Sequence, residues 1–528
     1  MLFQPPFQCI QCVEGSRPDR QKILVTACGP KIFTFDVASG RQLSSWPPQA
    51  PPEAQSTTTE NTSGSVGSEK PSSGKPPEKR RKLSQPKDQG KEGTTQTIAA
   101  NGSKKSKTAA PAWSTIPILV ATTSGEYVIA VTAEDKCLRV FKLDANGALS
   151  QLNERYMPKR PCALALADND SAILSGDKFG DVYSLPLLPT ESGLEPPKKT
   201  KQPSKPYQPS ASVLTVHSKR NLNALDQQLR FAPTQSQGEK SGPTFKSTLL
   251  LGHISMLTDV AFVTIPGSSQ SSSSRSYILT ADRDEHIRVT RGPPQTHVIS
   301  GYCFGHSSFV SRMCVPSWNL TTLISGGGDN FLLVWNWVQG KILQRVPLQG
   351  DQIDSQAETP APEVTVTGIW PLSFAHNPGL QKVGMGVVLV ALEGIPKLFP
   401  FLFNSDCKLV PQGPITLTGN ALSVTYLDDM GNILVSTDNL LEPGSATTLR
   451  NTQTSPPTLL QAFTITMVDG SLKWIEAQNS MVDTINATGA LDEISCQTEE
   501  EKQKHSQALV NSLYTTSKLR KRGMGEEE

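Results

Sequence analysis

Between Leu251 and Trp335 one arrangement of residues occurs twice, and it constrains the chain more than any other feature. The first copy reads LGHISMLTDVAFV and then SYILTADRDEHIRVT; the second reads FGHSSFVSRMCV and then TTLISGGGDNFLLVWNW. Each opens on a Gly-His pair and continues with a strand pattern, a tight turn centred on Asp and another strand. A His ahead of the strands, a strand hydroxyl and a turn Asp can be joined by buried hydrogen bonds. On that reading His253 pairs with Asp284 and His306 with Asp329, and Trp335 closes the second copy. A unit this short cannot bury an apolar face alone, so copies of it must stack on one another. His253, His306, Asp329 and Trp335 thus have a structural explanation before any functional one.

The arrangement is the WD-repeat signature, whose units are four-stranded blades of a β-propeller. Weaker strand-turn-strand units precede it at Ile23 to Phe35, Tyr127 to Phe141 and Ala163 to Leu185, with turns at Gly29, Asp135 and Phe179-Gly180. Two more follow, at Val366 to Phe401 and Leu422 to Trp474, the last turning at Asp469. About seven units result, inside the range of roughly 4 to 8 blades that close a ring. The expected fold is therefore all-β, a propeller over residues 1–496. Pro47 to Ala112 and Leu188 to Ser247 are polar insertions with too few large apolar side chains to offset their chain entropy, and are expected to be disordered. Ser268 to Ser274 lengthens a hairpin, and Gln349 to Pro362 links the fifth and sixth units. Residues 497–528 form a C-terminal tail. Gln497 to Arg522 reads as a helix, acidic at Glu499, Glu500 and Glu501 and basic at Lys518, Arg520, Lys521 and Arg522, with apolar i,i+4 pairs Leu509/Leu513 and Val510/Tyr514. It is expected to dock on the ring or on a partner.

Composition narrows the function classes. The 528 residues carry a net charge of +2, which excludes a generally basic nucleic-acid coat and confines any RNA contact to a local patch. The first residues, MLFQPPFQCIQC, lack a signal-peptide layout, and the longest apolar run, Gly386 to Leu392, falls far short of the roughly 20 residues of a membrane span. A soluble intracellular protein without membrane contact is expected. Nine cysteines scattered from Cys9 to Cys496 do not describe a disulfide framework. Cys9 and Cys12 form a lone CxxC without the second ligand pair that structural zinc needs, so no metal is expected.

No motif for catalysis stands out: there is no phosphate-binding GxxxxGK[ST], no GxSxG elbow and no HExxH helix. The run Gly326-Gly327-Gly328-Asp329 leads into the strand FLLVWNW, whereas a cofactor loop opens onto a helix whose amides face the ligand. No cofactor and no catalytic residue are assigned. Two turns, however, carry more charge than a bend requires. Asp177, Lys178 and Phe179 crowd one, with Asp181 following; Arg283, Asp284, Glu285, His286 and Arg288 crowd the other. Charged turns are commonly just solvated, but an Arg/Asp/Lys/Phe cluster at one rim also suits a protein-protein hot spot.

At these turns the sequence resembles a known family. ILSGDKFGDVYSLPL, LLGHISMLTDV, YILTADRDEHIRVT and FGHSSFVSRM are similar to the non-catalytic WD-repeat subunit of the eukaryotic tRNA (guanine-N7-)-methyltransferase, in a fungal form with long insertions. The resemblance covers roughly Ala163 to Trp335. It implies a partner, a separate S-adenosylmethionine-dependent methyltransferase subunit that methylates N7 of a guanine in the tRNA variable loop, with tRNA met through the complex. It also implies that the partner docks through Asp177, Lys178, Phe179, Arg283, Asp284 and Arg288. The insertions depart from the pattern and leave open whether they add contacts. Lys79-Arg80-Arg81-Lys82 reads as a nuclear import signal or as solvated charge in a linker, and the family suggests the nucleus. The competing functions are a generic propeller adaptor, such as a ubiquitin-ligase receptor or chromatin scaffold, and an enzyme built around the central channel. Deleting Pro52 to Lys105 should leave the melting temperature unchanged while reducing nuclear accumulation, as imaging and thermal melting of the variant would show; a large fall in melting temperature would expose a structured element in the segment.

Overall fold

The computed structural model describes residues 2–3, 5–14, 21–47, 115–189, 245–267, 273–348, 364–373, 380, 386–428, 430–450, 458–468, 471–488, 494–495, 506–511, 513 and 516–520. Seven antiparallel sheets follow one another along the chain, each made of strands in sequence order. Blade 1 runs from strand Phe7–Val13 to Gln42–Trp46, blade 2 from Ile118–Ala121 to Leu149–Tyr156, and blade 3 from Pro161–Ala167 to Thr248–Gly252. Blade 4 runs from Leu257–Ile265 to Ile299–Cys303, blade 5 from Val310–Cys314 to Lys341–Pro347, blade 6 from Val366–Ser373 to Leu409–Pro411, and blade 7 from Ala421–Tyr426 to Ser471–Glu476. Blade 6 adds a short strand, Ile415–Thr416, on its third strand. The propeller and its seven units are as the sequence predicts. The Leu188 to Ser247 insertion falls between the third and fourth strands of blade 3; its central part, all of residues 48–114 and the import candidate Lys79 to Lys82 lie outside the described residues.

The blades are joined at their innermost strands. In six of them the register skips one residue, a β-bulge that turns the extra side chain away from its own ladder. Three of those extra residues reach the next blade: Cys162 Sγ donates to Leu257 O at 2.9 Å, Thr258 Oγ1 to Val310 O at 2.5 Å, and Ser311 Oγ to Val366 O at 2.5 Å. A fourth, Gln8, accepts the Ile116 N–H through Oε1 at 3.1 Å. Apolar clusters cross the same seams, as where Leu332 and Val334 of blade 5 pack on Val388 and Phe401 of blade 6. Among the described residues no strand is exchanged between the last and first blades. Ile10 N and Cys12 N donate instead to Ser423 Oγ and Thr425 Oγ1 at 3.3 and 2.9 Å. The helix Ser480–Thr488 then packs Met481, Val482 and Ile485 with Phe33 and Phe35 of blade 1 and Leu434 and Leu460 of blade 7. Asn486 fixes it to blade 7, accepting from Leu459 N and Leu460 N and donating to Leu460 O. Residues 2–3 and 494–495 pair as a two-stranded sheet.

Blade 5 contains the expected network. A carboxylate can only accept, so His306 Nδ1 donates to Asp329 Oδ2 at 2.8 Å, leaving Nε2 to accept from Ser325 Oγ at 2.7 Å, while Trp335 Nε1 donates to the same hydroxyl at 2.8 Å. Burial opposes the charge on Asp329, but hydrogen bonds from His306 and Ser307 outweigh it and hold the carboxyl below its ordinary value. Blade 4 departs from the prediction. His253 Nε2 meets Thr280 Oγ1 at 2.7 Å, but its Nδ1 faces Asp282 at 3.4 Å rather than Asp284. Asp282 ends the second strand, and its Oδ1 accepts the N–H groups of Asp284 and His286 at 2.9 and 3.1 Å, which holds the turn. In blade 2 a buried guanidinium stands where the His does: Arg139 donates to Thr132 and, at 2.7 Å, to Asp135.

The C-terminal tail is helical at residues 506–511 and 513, then bends into a single 3-10 turn, Ser517–Leu519. The continuous helix expected through this stretch is not present at residues 516–520, where Thr516 and Ser517 crowd or compete with helical backbone. Tyr514, Glu499 to Glu501 and Arg522 lie outside the described residues. Leu509 and Val510 pack on Leu440 and Leu441 of blade 7, so the tail docks on the ring.

Asp329→Ala and His306→Ala should each destabilise the protein by roughly 1 to 3 kcal/mol, because buried partners lose a hydrogen bond; wild-type melting curves would refute the network. Asp282→Ala should lower the melting temperature more than Asp284→Ala, and the reverse order would restore the pairing read from the sequence.

Candidate functional site

Successive strands of a blade alternate in direction. The turns between second and third strands therefore share one face of the ring with the connections that lead from one blade to the next. The two charged turns, in blades 3 and 4, lie side by side on that face. In blade 3, Asp177 accepts the N–H groups of Phe179 and Asp181 through Oδ1 at 2.8 and 3.2 Å, the same geometry as Asp282 in blade 4. Gly180 has φ of +99°, and a Cβ there would stand 2.4 Å from His253 O, so only glycine lets this turn approach blade 4. The approach is fixed by His253 N donating to Gly180 O at 2.8 Å, while Lys178 N donates to Arg160 O at 3.2 Å, ahead of the first strand of blade 3.

The six residues assigned to partner binding divide on this geometry. Asp177 is 1% exposed, and burial raises its carboxyl above the ordinary value despite the two N–H donors. It shapes the turn rather than presenting a surface. Phe179 is 53% exposed, with Lys159 Nζ 4.0 Å and Lys178 Nζ 5.4 Å from its ring centre, so two cations flank one aromatic face. Asp284 sits in the blade 4 turn, half-buried. Arg283 beside it donates from Nε to Leu519 O at 2.8 Å and from Nη2 to Arg520 O at 3.4 Å, both in the C-terminal tail.

Arg288 departs most clearly from the docking role that the resemblance implies: it is only 9% exposed. Nη1 donates to Gly252 O at 3.0 Å and Nε to Thr290 Oγ1 at 3.2 Å, which ties the fourth strand of blade 3 to the third strand of blade 4. Burial draws its pKa below the ordinary arginine value, against favourable contributions from Tyr302 and Asp282. Arg288 is therefore a part of the seam between the two blades.

The structure adds residues to this rim that the sequence reading passed over. Ile254, directly after His253, is fully exposed. Phe304 is 62% exposed; it stacks on the partly exposed Tyr302 at 5.2 Å between ring centres, and His286 meets it edge-on at 5.5 Å. Their signal lies in GYCFGH, where Tyr302 near the end of the outermost strand is followed by Phe304 just beyond it, with no sheet outside to cover them. Exposed apolar side chains thus stand on both blades of this rim, Phe179 and Ile254 on the blade 3 side and Tyr302 and Phe304 on the blade 4 side, with Lys159 and Lys178 beside Phe179. Apolar anchors accompanied by charge are what a protein interface uses.

The buried thiols do not form a nucleophilic site. Burial pushes Cys9 and Cys162 up to about 12 and Cys12 up to about 11, so they stay protonated near neutrality. The eight described cysteines are unpaired by disulfides, and among the described residues no three His, Cys, Asp or Glu side chains are grouped to hold a metal. No described helix is long and apolar enough to cross a membrane.

Residues 24–463 match the family described as the tRNA methyltransferase TRM82 WD40 domain. The chain is 48% identical over 527 residues to the tRNA (guanine-N(7)-)-methyltransferase non-catalytic subunit TRM82 of Coccidioides immitis, covering 98% of this chain and 99% of that one. It is 46% identical over 534 residues to the protein of the same description from Aspergillus clavatus, covering 100% and 99%. A more distant relative with that description, from Eremothecium gossypii, is 27% identical over 430 residues, covering 79% and 76%. The likeness thus extends over the whole chain, insertions and C-terminal tail included, and the chain belongs to the TRM82 family of non-catalytic subunits of tRNA (guanine-N(7)-)-methyltransferase.

Proposed function

We propose that the propeller binds the S-adenosylmethionine-dependent methyltransferase subunit on the rim between blades 3 and 4 and holds it in the form that methylates N7 of a guanine in the tRNA variable loop. The observation that carries the reading is the set of exposed apolar side chains on the two adjacent blades, Phe179 and Ile254 with the stacked pair Tyr302 and Phe304, accompanied by Lys178 and Arg283. Two kinds of residue cooperate there. Asp177, Asp282 and Arg288 are buried and fix the turns and the seam; Phe179, Tyr302, Phe304, Lys178 and Arg283 supply contact. A rigid ring loses little conformational freedom on binding, so the contact energy goes into association and into the partner's shape. The work of the complex belongs in the nucleus on this reading, with Lys79 to Lys82 as the import signal.

Affinity purification of the chain should recover one stoichiometric methyltransferase subunit; recovery of ubiquitin-ligase or chromatin components without it would favour the adaptor role. Phe304→Ala and Phe179→Ala should each weaken association by about 2 kcal/mol or more if they anchor the interface, with melting temperatures close to wild type. Arg288→Glu should lower the melting temperature as well as association, because the carboxylate would face Gly252 O; a folded, fully stable Arg288→Glu protein that had lost its partner would return Arg288 to the contact surface. Calorimetric titration of the isolated chain with S-adenosylmethionine should show no binding, and a micromolar site would overturn this division of labour.

A further inference from the structure

The face that carries the rim is also crossed by the chain's own C-terminal tail. Leu509 and Val510 lie against Leu440 and Leu441, in the turn after the second strand of blade 7. Ten residues further on, Arg520 donates from Nη1 to Gly328 O in blade 5 and from Nη2 to Val364 O, where the chain enters blade 6, both at 2.9 Å. Its guanidinium also stands 5.8 Å from the centre of the Phe309 ring. Arg283 of blade 4 closes the far end through Leu519 O and Arg520 O. In a ring of seven, blades 7 and 4 are as far apart as blades can be, so the tail spans the face.

The two ends are held differently. At blade 7 the anchor is apolar and buried. At blades 4, 5 and 6 guanidinium groups reach main-chain carbonyls and, at 3.4 Å, the Thr365 hydroxyl, and both contacts of Arg283 with the tail are to main-chain carbonyls. A carboxylate adds its own charge to the hydrogen bonds of a guanidinium and can take two of its donors at once in a bidentate pair. An acidic side chain offered to Arg283 would therefore outcompete Leu519 O and Arg520 O for the same donors.

Resting on the reading that the blade 3–4 rim receives the catalytic subunit, we propose that residues 516–520 are a displaceable strap: the tail withholds Arg283 until an acidic group of that subunit takes it, and the strap then leaves the face while Leu509 and Val510 stay in place. The strap lowers the apparent affinity by the fraction of molecules in which it is open. Loosening it should tighten association.

The test compares the full-length chain with Arg520→Ala and with a variant ending at Lys504, each titrated with the purified methyltransferase subunit, and follows hydrogen exchange of the full-length chain with and without that subunit. Arg520→Ala should bind roughly tenfold tighter if the strap is closed about nine-tenths of the time, and the truncated variant should bind at least as tightly if it melts normally. On complex formation, amides at 283–288 and 302–304 should gain protection while those at 516–520 lose it. Protection of the rim with no change at 516–520 and no gain for Arg520→Ala would overturn the strap and leave the docking surface standing. No protection at the rim would overturn both. Weaker binding by Arg520→Ala at an unchanged melting temperature would show instead that the strap is part of the contact surface.

Discussion

The ring depends on how its sheets are joined, because among the described residues no strand passes from the last blade to the first. Each four-stranded sheet is complete in its own hydrogen bonding and could drift relative to the next. The seams hold through the bulged residue of the innermost strands, where a short polar side chain, Gln8, Cys162, Thr258 or Ser311, bonds to the main chain of the following blade. Each such bond contributes on the order of 1 kcal/mol, and the apolar clusters packed across the same seams add to them. Blade 7 meets blade 1 through Ser423, Thr425 and the Ser480–Thr488 helix. Closure in this manner makes the positions of neighbouring turns a property of the whole ring.

The rim between blades 3 and 4 shows the consequence. Phe179, Lys178 and Arg283 stand on two turns whose shapes are set by Asp177 and Asp282, and the seam between them is set by Gly180, the His253–Gly180 bond and Arg288 against Gly252. A binding surface assembled from two sheets keeps its geometry only if the seam beneath it is fixed, and Arg288 is part of that fixing. The charge that looked functional in the sequence is thus partly structural, while much of the contact area comes from uncharged residues nearby.

Legibility followed from how far each feature depends on local pattern. The blade count and the His306, Asp329 and Trp335 network could be read because alternation and spacing are local. Asp284 was mistaken for the partner of His253 because matching the turn centres hides a shift: Asp329 lies four residues after Ser325, while Asp282 lies two after Thr280. Arg288 was misread because its burial depends on the strands on either side, where Thr280 and Tyr302 stand opposite it. The aromatic pair Tyr302 and Phe304 was missed because exposure at the end of an outermost strand is a property of the assembled ring. The tail's route across the face, with Arg520 meeting blades 5 and 6, has no local signal.

The central claim is that the catalytic subunit sits on the rim between blades 3 and 4. A photo-crosslinking residue placed at Phe304, with a control at the exposed Val410 on the outermost strand of blade 6, tests it most directly. Irradiation of the assembled complex should join the catalytic subunit to position 304 and leave position 410 unlinked. Crosslinking from 410 with none from 304 would place the partner on another part of the ring and contradict the account.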